Sequence, residues 1–320
     1  MRKGSLALLT ILLGTMFSIV SAQTASPTPA PTPKQKVRTW TIPISIYTKK
    51  ELRSDQAEEI VQAERLIVKE DGEEQQILSI RALSDSPLSL AVLIQDDLTA
   101  NINLQLREIA DFIKELPKGS RVFVGYIRGG SVQTAQKFTD DLDKAAKTIR
   151  IVSGGTGSGG NGPYAGLNDV LKKFEALPSG RRAVLLISDG VDTTQGTSIG
   201  SLTQTIDLDN SIARAQRNSV AVYSFYSPTQ LTQAGNATLI GGGQGALLRL
   251  SNETGGRAFF QGNIAPVSFT PFFRDLNLLI GRQFALTYLS THMKKGYHRV
   301  EVFSTNPEVK IEHPKGYYLR

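Results

Sequence analysis

At 320 residues the chain can bury a substantial core in one or two domains, and 40% apolar with 20% charged residues is an ordinary globular balance. The formal charge of +7 falls to +5 without Arg2 and Lys3, and the other basic residues include only scattered doublets (Lys49-Lys50, Lys172-Lys173, Arg181-Arg182, Lys294-Lys295), which excludes a dense nucleic-acid-binding run. With no cysteine, disulfides, zinc–thiolate sites and cysteine-linked lipid anchors are excluded as well.

Residues 1–22 read as a signal peptide. Arg2 and Lys3 make a positive start, Leu6 to Val20 is mostly apolar but short for a bilayer span, and Val20-Ser21-Ala22 offers small residues for cleavage. The expectation is a mature chain starting at Gln23, with no integral membrane span, exported to the periplasm, the cell envelope or the medium. An exported chain without cysteine reads as bacterial. Residues 23–36 alternate proline with small polar residues and form an extended linker.

From Val37 the pattern has period two, with Trp40, Ile42, Ile44 and Ile46 on one face of a half-buried strand. Arg65–Lys69 and Gln76–Leu83 are further strands, joined as a hairpin through Glu70-Asp71-Gly72. Strands and helices then alternate, the mark of a parallel sheet with crossovers. Leu90–Ile94 is a buried strand, and Ile102, Leu106, Ile109, Ile113 and Leu116 line one helical face. Arg121–Ile127 and Val132–Phe138 are strands about Gly129-Gly130. Thr139 N-caps a helix ending near Ile151, and Pro163 opens another with Tyr164, Leu167, Leu171 and Phe174 inward. Ala183–Ile187 is a continuous apolar strand, buried on both faces. A helix at Leu208–Arg217, a strand at Val220–Phe225 and a helix at Ala246–Glu253 stopped by Gly255 follow. Thr270 and Pro271 open a last helix, and Gln283–Leu289, Arg299–Ser304 and Val309–Glu312 are strand-like again. Isolated pairs of strands are marginal alone. Residues 37–86 and 282–320 are therefore expected to pool their strands in one small β module, with an α/β domain, residues 87–281, inserted between them.

The apolar strand runs straight into Ser188-Asp189-Gly190. Ligands of parallel sheets lie at the carboxyl ends of strands, and Gly190 allows a sharp turn there. A carboxylate fixed on such a turn suits a hard cation or a partner's basic group. This turn resembles the third metal-site loop of the von Willebrand factor type A family. The segments Thr254–Phe260, Gln283–Tyr288 and Lys315–Tyr318 extend the likeness to exported bacterial type A-related proteins of acidobacterial kind. The resemblance implies a Rossmann-like α/β fold, a mostly parallel sheet with helices on both faces. It also implies protein binding through a Mg²⁺ that a partner's carboxylate completes.

In that family the ion takes a first-strand Asp-x-Ser-x-Ser, a threonine from a second loop and the third-loop aspartate. Here the first-strand positions fall on Gln95, Asp97 and Thr99, or in a later register on Asp97, Thr99 and Asn101. Gly162 stands where the threonine is expected. The resemblance therefore implies a degenerate metal site of Asp97, Thr99 and Asp189. Two readings stand: a rewired site that holds Mg²⁺ or another divalent cation weakly, and a metal-free scaffold that binds partners through other loops.

Other chemistry is thin. Gly155–Gly160 matches G-x-G-x-x-G, yet a helical segment precedes it where a nucleotide site needs a strand. His292, His298 and His313 lie in the C-terminal strands without zinc-binding spacing, and a Ser-His-Asp arrangement would have to reach across domains. The sequence points to an exported, non-enzymatic chain whose unknown protein partner engages the carboxyl-end cleft. The alternatives are a metal-assisted hydrolase using the acidic cleft and a binder of anionic envelope polymers.

Overall fold

A computed structural model describes residues 36–48, 66–84, 86–155, 161–233 and 235–319. The expected signal peptide, nearly all of the linker and most of the G-x-G-x-x-G match lie outside the described residues. The chain opens with β1 (Arg38–Thr48), β2 (Leu66–Glu70) and β3 (Glu73–Ala82). The α/β part begins with β4 (Leu88–Gln95), α1 (Leu106–Lys114), β5 (Arg121–Arg128), β6 (Ser131–Thr139) and α2 (Leu142–Ala146). It continues through α3 (Tyr164–Lys173), β7 (Arg181–Ser188), α4 (Ile199–Thr203), α5 (Ile206–Arg217) and β8 (Ala221–Tyr226). Next come α6 (Gln230–Gln233), α7 (Ala237–Thr254), β9 (Ala258–Phe259) and α8 (Thr270–Gly281). The last strands are β10 (Gln283–Ser290), β11 (Gly296–Ser304), β12 (Val309–Glu312) and β13 (Gly316–Leu319).

One sheet has the order β6-β5-β4-β7-β8-β9, all parallel except the edge strand β6. Counted from its own first strand this is 3-2-1-4-5-6, the doubly wound order, whose switch point falls between β4 and β7. The apolar runs follow from that position. Leu90, Val92 and Ile94 of β4 join Leu185 and Ile187 of β7 in a core against α1 and α8. Ala91, Leu93, Val184 and Leu186 point the other way, into a core shared with α3, α5 and α7. Each fully buried Leu or Ile here is worth roughly 2 kcal/mol.

The other sheet is antiparallel, in the order β12-β1-β10-β3-β2-β11-β13. Trp40 pairs with Tyr288, Ile42 with Leu286 and Ile44 with Phe284, so segments from the two ends of the chain lie side by side. The β2–β3 hairpin turns at Asp71 and Gly72, both at positive φ (50° and 89°). The sheet curls, because Trp40 of β1 stacks on Tyr317 of the edge strand β13 at 4.0 Å between ring centroids. The curl encloses Ile42, Ile44, Val68, Leu286 and Val300.

Arg181, the first residue of β7, fixes this sheet beneath the amino ends of the parallel strands. Its guanidinium donates to Gln283 Oε1 (2.9 Å), Ser86 O (2.7 Å) and Ile280 O (2.7 Å). The carboxyl ends of β4, β7 and β8 are left free on the opposite pole.

Some elements differ from expectation. Helix α7 starts at Ala237, nine residues before the predicted start at Ala246, with Asn236 accepting from Leu239 N as its cap. The glycines of this stretch hid it, and packing requires them: a Cβ at Gly242 would stand 2.2 Å from Leu202 Cδ1. Helix α2 is shorter than predicted, and Asp141, not Thr139, caps it. Strands β9 and β13 escaped prediction because each is too short to show a period.

Candidate binding crevice at the switch point

The ends of β4 and β7 are tied together by neutral polar groups. Gln95 Oε1 accepts from Ser188 Oγ (2.5 Å) and from Asp189 N (3.2 Å), and Ser188 Oγ accepts from Gly190 N (2.9 Å). Gln95 is thus a structural clip between the two strand ends and adds no charge.

Asp189 is 2% exposed. Its Oδ1 accepts from Val191 N (3.0 Å) and its Oδ2 from Thr229 Oγ1 (2.7 Å). Burial pushes its carboxyl up to about 6, with Asp97 adding in the same direction while the bonds from Thr229 and Val191 pull back. A raised carboxyl contributes stability below its unfolded value and withdraws it as pH rises through about 6. Ionised at neutral pH, it costs the cation-free fold about 3 kcal/mol. A bound cation would offset that penalty.

The site is roofed by two loops that meet over the end of β7. Leu98 bridges Thr229, Thr99 N donates to Pro228 O (2.9 Å), and Gly154 N reaches Asp96 O (3.2 Å). Asp97 and Thr99 are buried under this roof, whereas Asn101 is exposed. Thr99 Oγ1 is buried without a hydrogen-bond partner, and no hydrogen bond or ion pair ties the Asp97 carboxylate to another described residue. Asp96, by contrast, is committed to structure: Arg150 grips both its oxygens (2.8 and 3.3 Å) and stacks over Tyr126 at 3.8 Å.

Gly162 cannot carry a hydroxyl. A Cβ there would stand 2.5 Å from Asp192 Cβ and 2.7 Å from Val191 O. The hydroxyl beside Asp189 comes instead from Thr229, beyond the end of β8. Sequence reasoning missed it, although the strand next to β7 was bound to deliver its following loop to the same pole. Asp97 is near enough to Asp189 to act on its charge, and the chemistry of two carboxylates and an unpartnered hydroxyl suits a hard divalent cation. Asp97, Thr99 and Asp189 are the residues that would hold it.

Around the roof stand large apolar side chains open to solvent: Leu104 (78% exposed), Ile151 (69%), Ile264 (66%) and Val267 (83%). Leu104 lies in the short 3-10 helix Ala100–Gln105 after β4, and the others on the segments that follow α2 and β9.

Strand order and strand-end loops together define a doubly wound α/β protein with two buried acids, Asp97 and Asp189, at its switch point. No family model matches the sequence, and no curated protein does. Solved structures do resemble it, and von Willebrand factor type A structures are among them. One such structure, from Catenulispora acidiphila, is 11% identical, with 81% of this chain and 74% of that one covered and a TM-score of 0.38. The manganese-loaded TRAP protein of Plasmodium vivax is 10% identical, with coverage of 78% and 97% and a TM-score of 0.41. The conserved hypothetical protein BatB of Bacteroides thetaiotaomicron is 17% identical over 44% of this chain, which spans 66% of BatB, with a TM-score of 0.33.

Proposed function

We propose that this chain is an exported, non-enzymatic binding protein that engages a protein partner at the carboxyl-end pole. Asp97, Thr99 and Asp189 hold a divalent cation weakly beneath the roof, and Leu104, Ile151, Ile264 and Val267 supply the contact area above it. The observation that carries this reading is the unpartnered buried hydroxyl of Thr99, two residues from the buried Asp97, which in turn helps to raise Asp189 to about 6. Solvent-exposed apolar side chains gathered at one pole are what a protein partner buries. The crevice is assigned binding alone, with no catalytic step. The three histidines lie in or beside strands β10 to β13. No helix among the described residues is long and apolar enough to cross a membrane.

The test is capture from envelope extract on immobilised wild-type protein, Asp189→Ala, and Ile151→Asp, each with and without chelator. A partner retained by wild type, weakened by chelator and by Asp189→Ala, and lost with Ile151→Asp is the expected result. A partner retained equally by Ile151→Asp and Asp189→Ala would place binding elsewhere on the molecule.

A further inference from the structure

The antiparallel sheet holds a second polar cluster, separate from the crevice. Glu70 ends β2, Asp71 sits in the β2–β3 turn, and His292 and His298 come from the β10–β11 connection and from β11. Pairing of β2 with β11, Glu70 opposite Val300, gathers them. Spacing along the chain could not reveal this, because the acids and the histidines are far apart in sequence.

Glu70 is 0% exposed. Its Oε1 accepts from Tyr317 Oη (2.7 Å) and Ser290 Oγ (3.0 Å), but its Oε2 is buried without a partner. The basic groups in ion-pair reach, among the described residues, are the Nδ1 atoms of His292 and His298, each 3.7 Å from Oε1. A buried carboxylate needs a countercharge.

The His298 ring is oriented by a backbone carbonyl. Its Nε2 lies 2.6 Å from Lys294 O, a contact that requires Nε2–H to donate. In the neutral ring Nδ1 then carries the lone pair, aimed at Asp71 Oδ2 (2.7 Å) and Glu70 Oε1. A lone pair facing two carboxylate oxygens calls for a cation between them. Fixing a ring through its remote N–H is how proteins present metal-ligating histidines. His292 Nδ1 is also buried without a hydrogen-bond partner. A proton on His298 Nδ1 would bond Asp71 and lend charge to Glu70 Oε1 at 3.7 Å, but would leave Glu70 Oε2 and His292 Nδ1 unpartnered, and a metal ion would take up both.

We propose that Glu70, Asp71, His292 and His298 form a binding site for a divalent transition-metal ion of the zinc class. Two imidazole nitrogens and two carboxylate oxygens suit Zn²⁺, whereas Mg²⁺ prefers oxygen alone. Four ligands about 2.0–2.1 Å from a tetrahedral ion stand roughly 3.3 Å apart. His298 Nδ1 stands 2.7 Å from Asp71 Oδ2 and 3.7 Å from Glu70 Oε1, on either side of that value. Glu70, Asp71 and His298 each bring a ligand atom within 4.8 Å of the others, and His292 Nδ1 stands at their edge, 3.7 Å from Glu70 Oε1. The ion would neutralise Glu70 and staple the β2–β3 turn to the β10–β11 connection. The His292 side chain, 22% exposed, gives it a route in.

The full chain, stripped with chelator, is titrated with Zn²⁺ and with Co²⁺ as a spectroscopic substitute. The expected result is one Zn²⁺ per chain, with the strong visible bands of tetrahedral Co²⁺. Affinity falls at least about tenfold in His298→Ala and His292→Ala, is unchanged in Asp189→Ala, and survives excess Mg²⁺. If His298→Ala fails to fold by circular dichroism, the partly exposed His292→Ala decides alone. No stoichiometric Zn²⁺ in wild type, unchanged affinity in His292→Ala, or loss in Asp189→Ala instead would overturn the proposal.

Discussion

Gly190→Ala is expected to destabilise the protein by about 2–5 kcal/mol, combining left-handed strain of about 1–2 with overpacking of about 1–3. Gly190 has φ +71°, and an added Cβ would stand 2.4 Å from Gly243 O and 2.6 Å from Leu247 Cγ. Neither neighbour can yield cheaply, because both belong to α7, whose Gly243 in turn lies where a Cβ would be 2.2 Å from Asp189 O. The turn that aims Asp189 is thus pressed against a helix backbone, and the fit works only between two glycines. Gly241 in the same helix has nothing within 4 Å of its Cβ position. Gly241→Ala should therefore stabilise by about 0.5–1 kcal/mol. Urea unfolding of both variants checks the contrast. A loss under about 1 kcal/mol in Gly190→Ala would mean that the turn is not held as described.

The second large effect is acid sensitivity at His313. Its Nε2 accepts from Val302 N (3.2 Å) and its Nδ1 meets Pro314 O (2.9 Å), so the neutral ring carries its proton on Nδ1. Burial, helped by Lys315, pushes this histidine down from 6.5 to about 4. A depressed histidine contributes stability that is fully present above its unfolded value and is lost as pH falls from about 6.5 towards 4. The unfolded chain takes up the proton that the folded one refuses, and at pH 4 the deficit reaches about 3 kcal/mol. The urea midpoint of wild type should drop from pH 7 to pH 4.5 by more than that of His313→Gln, in which the Val302 N–H keeps an acceptor. Equal drops in both proteins would remove His313 from the account.

The α/β layers were legible because strands buried on both faces write themselves as unbroken apolar runs, as Leu90–Ile94 and Ala183–Ile187 do. The pairing of β1 with β10 was legible for a thermodynamic reason, since neither group of strands has enough partners alone. Helix α7 was half hidden. Its glycines lower helix propensity locally, and only the tertiary contacts with Leu202 and Asp189 explain why they are there.

Of the candidate site, Asp97, Thr99 and Asp189 could be placed on strand ends from the pattern of the chain. What surrounds them could not. Thr229 acts through a loop forty residues beyond Asp189, and the reason for Gly162 is a close approach to Asp192 that no local pattern encodes. The Glu70–His298 cluster stayed invisible for the same reason, since its spacing exists only across the β2–β11 pairing.

On the proposed function, the switch-point crevice holds a divalent cation through Asp97, Thr99 and Asp189, and holds it weakly. Gly162 withholds an oxygen, and Asp97 brings a carboxylate where a smaller hydroxyl would suit an octahedral ion. Mg²⁺ tolerates such displacement poorly, while Ca²⁺ and Mn²⁺ are more forgiving. Calorimetric titration of wild type and Asp189→Ala with Mg²⁺, Ca²⁺ and Mn²⁺, in the His292→Ala background to silence the second cluster, measures this directly. The expected result is weak binding, stronger for Ca²⁺ or Mn²⁺ than for Mg²⁺, and abolished by Asp189→Ala. Tight Mg²⁺ binding, or no heat from any of the three ions, would contradict it.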